Sequence, residues 1–282
     1  MIEQIYQRLK ALRWNLRLPI AYMVEIMLRI TPLINPYYRR KVLHKIYNSI
    51  VINVRGIKFY LVDFHSLWVV ASQEHEPWMW YYIINLIKPG SVFVDVGAHI
   101  GKYTLAVAKR LRNKGLVISI EPEPENFRSL IANLYINGLN PYVVALNVAA
   151  WSRDSIIKLH IGASSGGHST SFIKSRKRES EVGKTILVKA KRIDDIVKKL
   201  RVHRIDLVKI DVEGAEYDVL LGMKECLERF KPDLIIEVHR NNDRMVKEFL
   251  EQRGYKIYDI KEAFYNDHYY IFCRHLSKVC FQ

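Results

Sequence analysis

Cysteine is scarce in this chain. Three occur in 282 residues, Cys226, Cys273 and Cys280, and none forms a spaced pair near histidines. That excludes a disulfide framework and a thiolate zinc module, and an odd count in a long chain predicts reduced thiols in a cytoplasmic setting. Long uninterrupted apolar runs are missing too. The most apolar early stretch, LPIAYMVEIMLRI, is broken by Glu25 and Arg29 and is too short to span a bilayer. No N-terminal segment has the pattern of a secretory signal, and neither internal repeats nor low-complexity tracts occur. Acids are in deficit: 29 Asp and Glu stand against 44 Lys and Arg, a formal net charge of +15. What remains, 49% hydrophobic and 26% charged residues, is ordinary globular composition, enough for one large α/β domain or two small ones.

The excess positive charge is localised. Residues 1–50 hold nine Lys and Arg against two Glu, and residues 174–192 hold eight against two. Such patches point to an anionic partner, RNA or a phospholipid surface, or to solubility alone. Within 1–50, Ile5, Leu9, Leu12 and Leu16 recur at helical spacing among Arg and Lys. These basic helices are expected to cap the main domain, with a peripheral position on a membrane as the alternative. VINVRGIKFYLVD predicts a β-hairpin around Gly56. The expected division is an N-terminal cap over 1–70 and a main domain over 71–282.

From residue 90 strand-like and helix-like runs alternate. Strands are predicted at 92–96, 116–120, 143–147, 207–211, 234–238, 255–259 and 269–273, and helices near 101–112, 124–137, 194–200, 215–229 and 242–253. Short apolar runs joined by helices imply a largely parallel, doubly covered sheet. The last two runs are joined by about ten residues without helical pattern, too few for a parallel crossover, so that pair is expected to be antiparallel. Residues 152–190 interrupt the alternation as a Gly- and Ser-rich loop between two extra strands, 156–161 and 186–190. His168 in that loop is a weaker functional candidate.

The first strand runs into DVGAHIGKYT, two glycines before a helix start. The spacing is G-x-x-x-G at Gly97 and Gly101, not the dinucleotide G-x-G-x-x-G, and Asp95 stands two residues before Gly97. A carboxylate there repels a pyrophosphate and attracts an ammonium or sulfonium. S-adenosylmethionine carries both. Glu121, at the end of the second strand, is placed to accept the two ribose hydroxyls of such a ligand. Ala98 and His99 in the turn, Pro122 beside Glu121, and Asn147 at the end of the third strand complete the expected cofactor contacts.

VFVDVGAHIGKYTL, ISIEPEPENFRSLIANLYING, RIDLVKIDVEGAEYDVLLG and LIIEVH resemble the FkbM family of S-adenosylmethionine-dependent methyltransferases over roughly residues 70–240, with EHEPW as a matching lead-in. His99 stands where many members carry Asn. The resemblance implies the Rossmann-like, seven-stranded class I methyltransferase fold, mostly parallel with an antiparallel last strand, and O-methylation of a hydroxyl. The expected acceptor is a glycan, a lipid-linked glycan or a small metabolite. A ribose 2′-hydroxyl of RNA is the alternative, and a non-catalytic cofactor-binding or membrane-surface protein the third reading.

VKIDVEGAEYD then falls at the end of the fourth strand, beside the first. Asp211 ends that strand and is the first choice for a group that aligns or deprotonates the acceptor hydroxyl. Glu213 returns toward the site by alternation, while Glu216 and Asp218 suit the first turn of the next helix. Glu237 and His239 end the following strand on one face near Asp211. His239 as base with Glu237 orienting it, a divalent cation held by the three, or a hydrogen-bonded cluster are the open alternatives; no metal ligand is assigned. Asn140 and Asn35 each precede a Pro-Tyr pair, but neither follows the fourth strand, so neither can present an amine for methylation.

Overall fold

The computed structural model describes residues 51–61, 64–71, 76–162, 170–172, 182–264 and 268–278. The basic helices expected in 1–50, His168, and the 174–181 part of the second basic stretch lie outside the described residues.

The chain opens with the expected hairpin, β1 (Val51–Val54) and β2 (Ile57–Tyr60). Two helices follow, α1 (Phe64–Ala71) and α2 (Pro77–Leu86), the second started by proline at its first position. Then come β3 (Val92–Val96), α3 (Lys102–Leu111), β4 (Leu116–Ile120), α4 (Pro124–Ile136) and β5 (Val143–Leu146). An inserted arm contains β6 (Ala149–Ala150), β7 (Ser155–Gly162), β8 (Thr170–Phe172) and β9 (Val182–Lys191). The second half is α5 (Ile193–Lys199), β10 (Leu207–Ile210), α6 (Glu216–Leu221), α7 (Lys224–Phe230), β11 (Asp233–His239), α8 (Asp243–Glu251), β12 (Tyr255–Phe264) and β13 (His268–His275).

Seven strands form the main sheet in the order β12-β13-β11-β10-β3-β4-β5. Every neighbouring pair from β11 to β5 is parallel, and β13 alone runs against its neighbours. The sheet is mostly parallel with an antiparallel last strand, as expected, and the antiparallel β12–β13 join follows from the short connection. The arm is a separate four-stranded sheet, β6-β9-β7-β8. Its long strands bracket the two expected from the sequence.

One expected helix is two. The 215–229 run breaks after Leu221 because Gly222 lies against the chain entering the arm. A Cβ at Gly222 would sit 2.0 Å from the Trp151 carbonyl oxygen. The Gly222 carbonyl accepts from Asp194 N–H at 3.1 Å instead of continuing a helical ladder.

Strand alternation divides the core. Val92, Val94, Val96, Val208, Ile210, Leu234, Ile236 and Ile271 pack on one face with the arm and α5 to α8. Phe93, Leu207, Ile235 and Tyr270 pack on the other with the hairpin and α1 to α4. Each fully buried large side chain stabilises the fold by roughly 1.5–3 kcal/mol. On this second face the residues two positions further along are Asp95, Lys209 and Glu237. The apolar rows turn polar as the strands reach their carboxyl edge. Among the described residues no helix is long and apolar enough to cross a membrane.

Candidate active site

The turn after β3 is built by backbone contacts. Gly97 and Ala98 donate to the Ile120 carbonyl at 2.9 and 3.1 Å. Gly97 has φ 77°, and a Cβ there would lie 1.8 Å from the Asp211 carbonyl oxygen, so only glycine lets β3 and β10 approach this closely. His99 has φ 52°, a left-handed conformation that short polar residues such as Asn adopt more readily. Gly101, at φ 93°, caps α3.

Glu121 is buried. Its Oε2 accepts from His99 N–H at 2.8 Å and its Oε1 from Glu123 N–H at 3.0 Å. Burial pushes its carboxyl up to about 7, although those two amides pull it down. Glu123 caps α4 by accepting from Asn126 N–H at 2.6 Å. The Asn147 amide donates to the carbonyls of Glu121 at 2.8 Å and Pro122 at 3.1 Å, so Asn147 holds the acidic loop from outside.

These elements line a small cleft. Its walls are Val96, Gly97, Ile120, Pro122, Ala150 and Val212, with Glu121 and Asp211 as its charged groups. It lies at the carboxyl edge of the parallel strands, where α/β sheets bind ligands. Asp95 is behind this wall. Its Oδ2 accepts from Thr104 Oγ1 at 2.6 Å, and its Oδ1 lies 3.7 Å from the ammonium of Lys209. Asp95 thus already faces a cation of the chain itself.

Beyond Asp211 the polar row continues into a buried network. Lys209 Nζ is 3.0 Å from Asp211 Oδ2 and 3.5 Å from the Gly97 carbonyl. Burial opposes its charge, but Asp211, Asp95 and Glu76 outweigh that and hold the ammonium above its ordinary range. Burial and then the nearby Glu237 charge raise Asp211 well above the usual carboxylate range, against Lys209. Tyr270 Oη donates toward Glu237 Oε2 at 2.5 Å and also meets Glu76, which Tyr103 contacts from the other side. Lys102 lies 3.5 Å from Glu76; burial lowers its ammonium to about 8, although Glu76 pulls it back.

His239 Nε2 is 3.2 Å from Glu237 Oε1 and 3.7 Å from Glu213 Oε2. Burial disfavours its charge, yet the bond to Glu237 and the charges of Glu216, Glu237 and Glu213 raise it to about 9. It is therefore protonated at neutral pH in this arrangement. His268, opposite His239 across β11–β13, has Nε2 3.9 Å from Glu237 Oε2. Among the described residues two groups have donor atoms close enough to share a cation: Glu237, His239 and His268, and Glu76, Asp211 and Glu237.

Of the four carboxylates in VKIDVEGAEYD, Asp211 faces the cleft and Glu213 returns to His239. Glu216 is buried, accepting from Gly214 N–H at 2.7 Å and Asn242 Nδ2 at 2.5 Å, and Asp218 accepts from Ser152 at 3.2 Å. The last two hold local structure, as helix-start acids do.

Sequence reasoning missed Lys209, Glu76, Lys102, Tyr103, Tyr270 and His268. Lys209 left a signal, a lone cation in a four-residue apolar strand. The others meet only because the sheet order joins residues 76, 102 and 270.

Residues 95–257 match the model of the methyltransferase FkbM domain. The chain belongs to the FkbM methyltransferase family. It is a methyltransferase. AMB antimetabolite synthetase AmbE of Pseudomonas aeruginosa is 26% identical over 56% of this chain, a match to only 9% of that much longer protein. Methyltransferase sdnD of Sordaria araneosa is 28% identical, covering 63% of this chain and 78% of its own. Hexuronic acid methyltransferase AglP of Haloferax volcanii is 24% identical, covering 66% and 72%. In this FkbM-family enzyme the matched region contains both cleft acids, Asp95, and the end of β11.

Proposed function

We propose that this methyltransferase uses S-adenosylmethionine to O-methylate a hydroxyl of a glycan, lipid-linked glycan or small metabolite. The observation that carries the reading is the cleft: among the described residues it has apolar walls, an acid at either side and no Lys or Arg in its lining. That lining fits a cationic, hydroxyl-bearing ligand and disfavours a pyrophosphate. Glu121, fixed by two amides, keeps lone pairs on both oxygens for a pair of vicinal hydroxyls. Gly97 lines the cleft beside it. When bound, the cofactor supplies a methyl group on a positively charged sulfur, whose electron pair stays on sulfur as the carbon–oxygen bond forms.

Asp211 is the base in this reading. It faces the cleft, and Lys209 Nζ, 3.0 Å from its Oδ2, positions it to take the hydroxyl proton. Lys209 keeps the carboxylate aimed across the rim. His239, held by Glu237 at 3.2 Å, orients the acceptor in this reading. The printed substrate of AglP, a hexuronic acid, makes sugar hydroxyls the first acceptors to try.

Asp211→Asn is expected to lower turnover by about 10²- to 10⁴-fold while leaving S-adenosylhomocysteine affinity within a few fold. Radiolabelled methyl transfer to a panel of sugars, with calorimetry of the cofactor product, checks both. Near wild-type turnover in this variant would remove Asp211 from the chemistry. Absence of any binding of S-adenosylhomocysteine to the wild-type chain would remove the reading itself.

A further inference from the structure

We infer that Glu237, His239 and His268 bind one divalent first-row transition ion, of the cobalt, zinc or manganese kind, on the acceptor side of the cleft. The backbone register sets the triad. His239 and His268 are direct partners in the antiparallel β11–β13 pair, and Glu237 pairs with Tyr270 two positions away. Residues two apart on a strand share a face, so both imidazoles and the carboxylate project together. The rings lie 5.5 Å apart between centroids. The contacts are 3.2 Å from His239 Nε2 to Glu237 Oε1 and 3.9 Å from His268 Nε2 to Glu237 Oε2, with all three donors within 4.8 Å of one another. Donors around a tetrahedral ion at 2.0–2.1 Å stand about 3.4 Å apart.

The donor set selects the ion. Two imidazoles with one carboxylate suit first-row transition metals and not magnesium or calcium, which prefer oxygen. Tyr270 holds the Glu237 carboxylate from outside, and Glu213 Oε2, 3.7 Å from His239 Nε2, is a further oxygen beside the same donor atom. The neighbouring trio of Glu76, Asp211 and Glu237 is a poorer site, because Tyr103, Tyr270 and Lys102 already occupy Glu76 and Lys209 pairs with Asp211. A three-ligand site leaves coordination positions open. An acceptor hydroxyl bound there would be more acidic and would face Asp211. That last role rests on the methyl-transfer reading; occupancy by the ion does not.

The test is titration of the full, chelator-stripped chain with Co²⁺, read by visible absorption and calorimetry without cofactor or acceptor. One equivalent is expected to bind with a ligand-field band that millimolar Mg²⁺ leaves unchanged. His268→Ala and His268→Gln should weaken binding by roughly 100-fold, and Tyr270→Phe by about tenfold. His203→Ala, an exposed residue near the opposite strand ends, should bind as wild type. In the wild-type chain Zn²⁺ should protect His239 and His268 from carbethoxylation, a readout that needs no variant to fold. Uptake well below one equivalent, displacement by Mg²⁺, unprotected histidines, or wild-type Co²⁺ affinity in folded His268 variants would overturn the inference. Calorimetry of S-adenosylhomocysteine on the metal-free chain reads the methyl-transfer proposal separately.

Discussion

Two opposed demands meet at Glu121. The cleft needs its carboxylate as an acceptor, while burial favours the neutral acid and pushes the group up to about 7. Affinity for S-adenosylhomocysteine should therefore fall about tenfold per pH unit below 7, as seen by calorimetry between pH 8 and 5.5. The stability effect has the opposite dependence. The folded value is above the unfolded one, so the folded state keeps a proton that the unfolded state has shed. Stability then declines as pH rises from about 4.5 to 7, by up to roughly 3 kcal/mol. Glu121→Gln removes that penalty and loses one acceptor. It should raise stability at pH 8 by about 1–2 kcal/mol in urea unfolding and weaken cofactor binding at least tenfold. Both cleft acids were legible in the chain because each ends an apolar strand, Asp211 shortly before Gly214 and Glu121 one strand after the Gly97 turn. Glu76 and His268 were not: Glu76 meets Tyr270 at a separation of 194 positions, and His268 faces Glu237 and His239 only through the reversed pairing of β13.

At the scale of elements, the β3 turn and the hairpin make separate predictions. Gly97→Ala would place a methyl 1.8 Å from the Asp211 carbonyl in a left-handed conformation. Calorimetric melting should show a loss of about 2–4 kcal/mol, with cofactor binding abolished because β3 and β10 must part. The hairpin is fastened by α4. Asn133 accepts from Tyr60 N–H at 2.6 Å and donates to the Ile100 carbonyl at 2.9 Å, and Asn137 does the same for both backbone groups of Lys58 at 2.9 and 2.7 Å. Two asparagines one turn apart thus serve the edge of β2 as a neighbouring strand would. Asn133→Ala should cost about 1–3 kcal/mol, with faster amide exchange at Tyr60 as its signature. The strand and helix order was readable from periodicity alone. The split of the 215–229 helix was not, because it depends on Trp151 reaching Gly222 from the arm.

The whole molecule is divided by one sheet, with the ligand edge served by strands from both halves of the chain. Binding at that edge should stabilise the fold as a unit. S-adenosylhomocysteine at 100 times its dissociation constant contributes about 2.7 kcal/mol, which corresponds to roughly 5–10 °C in Tm for a chain of this size. A shift absent from wild type, or preserved in Glu121→Gln, would contradict the placement of the ligand. The seven-strand topology was foreseeable from alternation plus one short join, whereas the charge network was hidden because it exists only once β10 sits between β3 and β11. The reversal of β13 has its own consequence. Parallel strands deliver only their ends to the rim, but β13 delivers its beginning, where His268 stands. The two sides of the pocket therefore come from separately mutable stretches of chain. In the proposed reading, drift at the start of β13 retunes the acceptor side while the methyl-donor side, drawn from β3 and β4, is inherited unchanged.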